Sequence, residues 1–308
     1  MSLKDLFYMA PPVRSLRGRK VLITGAASGI GRATALAAAA EGAELVVTDL
    51  HPEPLDELAA DVRAAGGTVL YHQAGDVSDY DWVVKFAQSV DAEVGVMDVV
   101  MNIAGISAWG TVENLEHRHW KSMVDVNLMG PIHIIECFVP QMVARGQGGH
   151  LVNVSSAAGL LALPWHAAYS ASKFGLRGVS EVLRFDLRRH HIGVSLVCPG
   201  AVATPLVNTV DIVGIDRDNE EVATAIGNFH RVAASPEKAA AAIIKGIKKN
   251  RYIVYTSFDI RFGYWWARKF AFPYEVVMRI ANDQFARLAR KAPPKAKAAP
   301  RQVNAPGA

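Results

Sequence analysis

The run Lys20-Val21-Leu22-Ile23-Thr24 leads without interruption into Gly25-Ala26-Ala27-Ser28-Gly29-Ile30-Gly31, and an alanine-rich stretch follows to Glu41. The short apolar, β-branched run reads as a buried strand, and the alanine-rich stretch as a helix. Glycines in the turn between them let a backbone come close to a pyrophosphate. The helix N-terminus adds unpaired N–H groups and the positive end of a dipole. The spacing is Gly-x-x-x-Gly-x-Gly, not the Gly-x-Gly-x-x-Gly of the general dinucleotide fingerprint. A tight strand-to-helix connection with no ligand would look the same in isolation.

The pattern then repeats. Strands are expected at 44–48, 68–72, 97–101, 149–155, 192–198 and 252–256, and helices at 54–65, 79–93, 113–145 and 169–190. Within 113–145, Pro131 and Pro140 predict kinks or a break. Strands alternating with helices imply an α/β fold, a parallel sheet covered on both faces. Such sheets bind ligands at the carboxyl ends of their strands, where Asp49, Asp76 and Asn102 fall. Asp49, 18 residues past Gly31, is placed to accept hydrogen bonds from ribose hydroxyls and would repel a 2′-phosphate. Its successors Leu50, His51 and Pro52 bring no cation, so NAD is expected in preference to NADP. A turn or helix-capping role for Asp49 is the other reading.

Tyr169 and Lys173 lie four apart and share a face of their helix. A tyrosine ordinarily holds its proton to about pH 10. A neighbouring ammonium lowers that value and yields a group able to exchange a proton with an alcohol or carbonyl oxygen. Ser155-Ser156 close a strand thirteen residues upstream, so two hydroxyls could grip one substrate oxygen. Asn127, in an apolar helix, needs hydrogen-bond partners. It is read either as a structural bond to a neighbouring strand or as holding a water beside Lys173.

Together, Thr24-Gly25-x-x-x-Gly29-x-Gly31, Asp76-Val77, Asn102-x-Ala104-Gly105, Asn127, Ser156, Tyr169-x-x-x-Lys173 and Pro199-Gly200 resemble the short-chain dehydrogenases/reductases, from about Lys20 to Tyr255. The resemblance implies a doubly wound Rossmann-like domain with a seven-stranded parallel sheet, and NAD(P)-dependent hydride transfer between an alcohol and a carbonyl. It implies that Tyr169 is the acid/base and that Lys173 lowers its pKa and binds the nicotinamide ribose. Ser156 would orient the substrate oxygen, and Asn127 would hold a water linking Lys173 to solvent. Gly25, Ser28, Gly29, Ile30 and Gly31 would line the pyrophosphate turn, Asp49 the ribose, and Asp76 and Val77 the adenine. Asn102, Ala104, Gly105, Pro199, Gly200, Val202 and Thr204 complete the cofactor set, Thr204 at the nicotinamide amide. Ile103 departs from the family, which often has a second asparagine there.

The apolar residues of a lid expected at 205–234 (Leu206, Val207, Val210, Ile212, Val213, Ile226 and Phe229), with Trp109, Leu161, Leu163 and Trp165, favour a lipophilic alcohol or ketone such as a steroid, retinoid or lipid. The alternatives are a polyol, a sugar, a 3-oxoacyl substrate or a non-catalytic nucleotide-sensing scaffold. His166, near Tyr169, could reach substrate but is read in preference as a surface-loop residue. Four segments are expected: an N-terminal arm 1–18, one domain 19–260, a helical aromatic and basic extension 261–291 and a disordered tail 292–308. The extension holds seven Lys/Arg against two Asp/Glu and would serve as lid, subunit contact or peripheral membrane contact. A homodimer or homotetramer is expected. A net charge of +4 gives no ground for nucleic-acid binding. Cys137 and Cys198 read as small core residues, and no metal site is expected. With no run of 18 uninterrupted apolar residues and no signal-peptide core, a cytoplasmic location, with possible peripheral membrane association, is the expectation.

Overall fold

The computed structural model describes residues 13–216 and 219–293; within these, the side chains at 207, 208, 225, 228–230 and 232 lie outside the description. Residues 1–12 and 294–308, and the side chains of Val207 and Phe229, therefore fall beyond it.

In chain order the elements are β1 Lys20–Thr24, α1 Gly29–Ala40, β2 Glu44–Asp49, α2 Pro52–Ala64, β3 Thr68–Ala74, α3 Tyr80–Glu93, β4 Val99–Asn102 and β5 Ala108–Trp109. There follow α4 His117–Val124, a π turn Asp125–Met129, α5 Gly130–Arg145, β6 Gly149–Val154, α6 Ala167–Asp186, β7 Ile192–Cys198 and α7 Pro205–Thr209. The chain continues with β8 Asp211–Ile212, α8 Glu220–Val232, α9 Pro236–Lys248, β9 Ile253–Tyr255, α10 Phe258–Lys269 and α11 Ala271–Lys291.

Seven strands form one parallel sheet in the order β3-β2-β1-β4-β6-β7-β9. Strand order reverses between β1 and β4, so the connections after these two strands run in opposite directions and leave a crevice at their carboxyl ends. Successive residues of a strand face opposite sides. Val21 and Ile23 pack with Leu55 and Leu58 of α2 and Ile243 and Ile247 of α9, while Leu22 packs with Phe86 of α3 and Ile134 and Phe138 of α5. A sheet buried on both faces explains why its strands read as continuous apolar runs.

The segment expected as one long helix is continuous from His117 to Arg145 but carries a π turn at 125–129. Pro131 has no N–H for the Asn127 carbonyl four residues back, and the ladder widens there instead of breaking. By length and mean hydropathy this helix could cross a bilayer, yet it buries Asn127, His133 and Phe138 inside the fold. Its apolarity is that of a core helix.

Three expected boundaries shift. Val13 and Leu16, assigned to the arm, are buried in the core beside α1 and α2. The extension starts at Phe258. Ala292, expected in the tail, is fully buried, and its carbonyl accepts from the Asp216 N–H at 3.0 Å.

Between β4 and β6 lies a polar seam. Asn102 Nδ2 donates to Asn153 Oδ1 at 2.9 Å, and Asn153 Nδ2 donates to Ser180 Oγ of α6 at 2.9 Å. Both asparagines are buried, so losing a partner leaves a desolvated amide at a cost of about 1–3 kcal/mol. Asn153→Leu is expected to lower the urea-unfolding free energy by about 2 kcal/mol or more. A loss under ~0.5 kcal/mol would mean that the seam does not hold α6 to the sheet.

Candidate active site

The glycine turn is dictated by contact. Gly25 and Gly29 sit at φ +65° and +51°, in the left-handed region. A Cβ on Gly31 would stand 1.8 Å from the Gly25 carbonyl oxygen, and one on Gly25 would stand 2.6 Å from the Ala104 Cα. Thus β1, α1 and the end of β4 meet with no room for a side chain. Ser28, the N-cap of α1, makes no side-chain cap bond, which leaves first-turn N–H groups facing outward as an anion cradle. Thr204 packs on this turn, its Cβ 3.1 Å from where a Gly29 Cβ would be.

Asp49 ends β2 beside the turn. Its Oδ2 accepts from the Ala27 N–H at 2.9 Å and its Oδ1 from the His51 N–H at 3.3 Å. Asp76 is exposed and accepts from the Ser78 N–H and hydroxyl. Val77 is fixed from two sides. It packs so closely on Gly130 that a Cβ there would lie 2.8 Å from Val77 Cγ2, and His133 Nδ1 donates to its carbonyl at 3.0 Å. These donors and acceptors suit a dinucleotide: N–H groups for a pyrophosphate and a carboxylate for ribose hydroxyls.

At the tip of β4, the Thr24 hydroxyl accepts from the Ile103 and Ala104 N–H groups at 3.1 and 3.2 Å. Ile103 packs into the apolar core, which accounts for a hydrocarbon at that position. The Asn102 side chain is not presented to the crevice; its amide is held in the polar seam.

Gly105, Asn127 and Lys173 converge. A Cβ on Gly105 would meet Asn127 Oδ1 at 2.9 Å and Lys173 Nζ at 3.3 Å. Asn127 pairs through both ends of its amide with the Ile106 peptide at 2.9 Å, and its Nδ2 also reaches Ser172 Oγ at 3.3 Å. Its side chain thus makes the structural bond, to a loop and not to a strand. Its main-chain carbonyl is denied the usual N–H four residues on, because that residue is Pro131.

Lys173 is buried, donates to the Val154 carbonyl at 3.1 Å and lies 5.7 Å from the centroid of the Tyr169 ring. Desolvation pushes its pKa down to about 8. Burial pushes the Tyr169 phenol up, while a hydrogen bond with Ser156 works the other way. The expected lowering by Lys173 is not found: lost hydration raises the phenol, and the influence that opposes it is Ser156, not Lys173. Ser155 turns away and donates to the Lys173 carbonyl at 3.0 Å, leaving Ser156 as the hydroxyl beside the phenol.

The loop after β7 closes the site. The Pro199 carbonyl accepts from the Ala157 N–H at 2.7 Å, and the Gly200 N–H reaches Thr256 Oγ1 at 3.3 Å. Val202 bridges Ala234, so the lid's two stems meet there. The lid pairs Ile212 with Trp109, and Val213 shares an apolar cluster with Tyr169. Trp165, at φ +65°, packs with Ile215 and Val222 of the lid and Phe285 and Leu288 of α11.

Three residues escaped the sequence reading. Thr24 was visible only as part of the glycine pattern, and nothing local marked His133. His166 is no surface residue. It is buried, its ring lies 4.5 Å from Trp109 and 6.2 Å from Tyr169, and Nδ1 donates to the Pro164 carbonyl at 2.6 Å. Burial lowers its pKa. Among the described residues, no group of three or more His, Cys, Asp or Glu could hold a metal.

The family model "short chain dehydrogenase" matches residues 19–212, and the chain belongs to that family of oxidoreductases. The probable oxidoreductase EphD of Mycobacterium tuberculosis is 38% identical over 237 residues, 76% of this chain but 40% of that protein. The chain therefore spans about two fifths of that relative's length. SadH of the same organism, also named as an oxidoreductase, is 32% identical over 89% of this chain and 95% of its own length. Among solved structures, a Burkholderia phymatum short-chain dehydrogenase/reductase in complex with NAD has a TM-score of 0.76 at 28% identity, covering 83% of this chain and 94% of that one. A metagenomic short-chain oxidoreductase in complex with NADP has a TM-score of 0.63 at 31% identity, covering 78% and 96%.

The lowered pKa of Lys173 carries a stability cost. A fall from 10.5 to about 8 corresponds to about 3 kcal/mol. The cost is full below the folded value and vanishes as pH approaches the unfolded one. Allowing ~1 kcal/mol for the bond to Val154, Lys173→Met should be about 1–2 kcal/mol more stable than wild type at pH 7, with the gap closing toward pH ~9.5. Urea titrations at both pH values check this; a variant less stable at pH 7 would contradict it.

Proposed function

We propose that the chain interconverts a lipophilic primary or secondary alcohol and its carbonyl, with NAD as the preferred cofactor. The observation that carries this reading is buried Lys173, its Nζ 5.7 Å from the centroid of the Tyr169 ring, with the Ser156 hydroxyl beside the phenol at the carboxyl end of β6. Two hydroxyls so placed hold one substrate oxygen, and one of them can trade a proton with it.

The turn Gly25, Ser28, Gly29, Ile30 and Gly31 would hold the pyrophosphate, Asp49 the adenosine ribose, and Asp76 with Val77 the adenine. Ala104, Gly105, Lys173 and Tyr169 would flank the nicotinamide ribose, and Pro199, Gly200, Val202 and Thr204 the nicotinamide. Asn102 would support this wall from within the sheet. A bound nicotinamide supplies the hydride chemistry. Tyr169 Oη takes the proton from the alcohol in oxidation and returns it in reduction, while Ser156 Oγ orients that oxygen. Lys173 favours the phenolate once ionised. A water on the Asn127 main-chain carbonyl would relay protons between Lys173 and solvent.

Asp49 supports NAD over NADP, because its carboxylate would face a 2′-phosphate with like charge. Val213, in the apolar cluster that holds Tyr169, and the neighbouring Ile212–Trp109 pair support an apolar substrate, since such a wall offers a sugar few polar anchors. Exposed Phe174, Val182 and Phe185 on α6 support self-association into a dimer or tetramer.

Tyr169→Phe is expected to lower kcat by about 10²-fold or more, with NADH binding, read by fluorescence, within about twofold of wild type. Near-wild-type turnover of a steroid- or fatty-alcohol substrate by this variant would overturn the assignment. Asp49→Asn should reduce the ratio of kcat/KM for NAD over NADP by about tenfold; an unchanged ratio would remove Asp49 as the selecting residue.

A further inference from the structure

Helices α10 and α11 turn two different faces to two different surroundings. The inner face is fastened to the catalytic body. Tyr264 is buried, its hydroxyl accepting from Arg177 at 2.9 Å, and the Tyr274 hydroxyl accepts from the Ala162 N–H at 2.8 Å. Farther along, Phe285 packs on Trp165 at 5.6 Å, and Lys291 pairs with Glu221 of the lid.

The outer face carries a continuous apolar stripe. On α10, Phe258, Phe262 and Trp265 stand at i, i+4 and i+7, exposed to 77%, 51% and 50%. On α11, Phe272, Val276, Val277 and Ile280 stand at i, i+4, i+5 and i+8, all exposed. Ring contacts from Phe258 through Phe262 and Trp265 to Phe270 join the two helices into one ladder, with neighbouring centroids 5.8–6.2 Å apart. An exposed apolar face of this extent marks an interaction surface.

Charge selects the partner. Arg261, Arg268 and Lys269 are exposed on α10, Arg279 of α11 is exposed and pairs with Glu275, and the two helices, 258–291, hold seven basic side chains against three acidic ones. A second copy meeting this face with its own would bring two basic surfaces together, which is unfavourable. An anionic bilayer offers what both parts need: hydrocarbon for the aromatic ladder and headgroup charge for the cations.

We propose that the outer face of α10–α11 is a docking surface for an anionic lipid membrane, lying flat in the interface with Phe262, Trp265 and Phe272 inserted. The surface stands apart from the catalytic reading above and would hold if that reading failed. Because the inner face of α11 is tied to Trp165 and the lid, a docked chain would hold its lid next to the lipid.

Co-sedimentation of the full chain with phosphatidylcholine vesicles, with and without phosphatidylglycerol, tests this. Wild type should partition to the anionic vesicles at least tenfold more than to neutral ones, and less as salt is raised. Combined Phe262→Ser, Trp265→Ser and Phe272→Ser should lower that partition at least tenfold, and Arg261→Glu with Lys269→Glu should abolish the preference for anionic lipid. Both variants should keep the wild-type melting temperature within a few degrees, which separates lost docking from lost folding. Absence of wild-type partition, or equal partition by the serine variant, would overturn the proposal. So would a serine variant that loses wild-type oligomerisation, by light scattering, while still pelleting with vesicles.

Discussion

The whole arrangement hangs on a backbone-to-backbone contact. Gly31 approaches the Gly25 carbonyl, and Gly25 approaches Ala104, at distances that exclude any side chain. This contact brings the start of α1 to the ends of β1 and β4, where the sheet order reverses. Thr24 fixes the far side by accepting two N–H groups of the β4 loop. Everything later in the chain is placed relative to that crevice: Thr204 against Gly29, Gly105 against Asn127 and Lys173.

The side chains of the candidate site are held by a second, linked set of bonds. Ser155 accommodates the Lys173 carbonyl, Lys173 reaches back to Val154, and Asn127 ties the Ile106 loop to Ser172. Helix α6 is thereby fixed to β6 at the level where Ser156 meets Tyr169. The enclosure disfavours charge on both Lys173 and Tyr169. A buried pair of this kind is held at a cost in stability, a common trait of sites built for chemistry.

Much of this was legible because its signals are local. The glycine spacing, the strand-end acids and the Tyr169–Lys173 interval each lie within a few residues, and alternating apolar runs mark a sheet covered on both faces. What was not legible depends on distant contacts. His166 looked like a loop residue because Trp109, 57 positions earlier, is what buries it. Leu16 and Ala292 lie in segments of tail-like composition, yet each plugs a cluster assembled from remote elements. The π turn at Asn127 had a visible cause in Pro131, but the sequence alone suggested a kink as readily as a widened turn. The Asn102 amide turned inward because Asn153 offers it a partner across the strands, a pairing that only the register reveals.

In the proposed reaction a carbinol hydrogen leaves the substrate as hydride while Tyr169 handles the proton. The most direct measurement is the mass of the reduced cofactor formed from NAD and a lipophilic secondary alcohol deuterated at its carbinol carbon. The expected product is reduced nicotinamide carrying the deuterium. Reduced nicotinamide without deuterium, or no reduction across a panel of such alcohols, would contradict it.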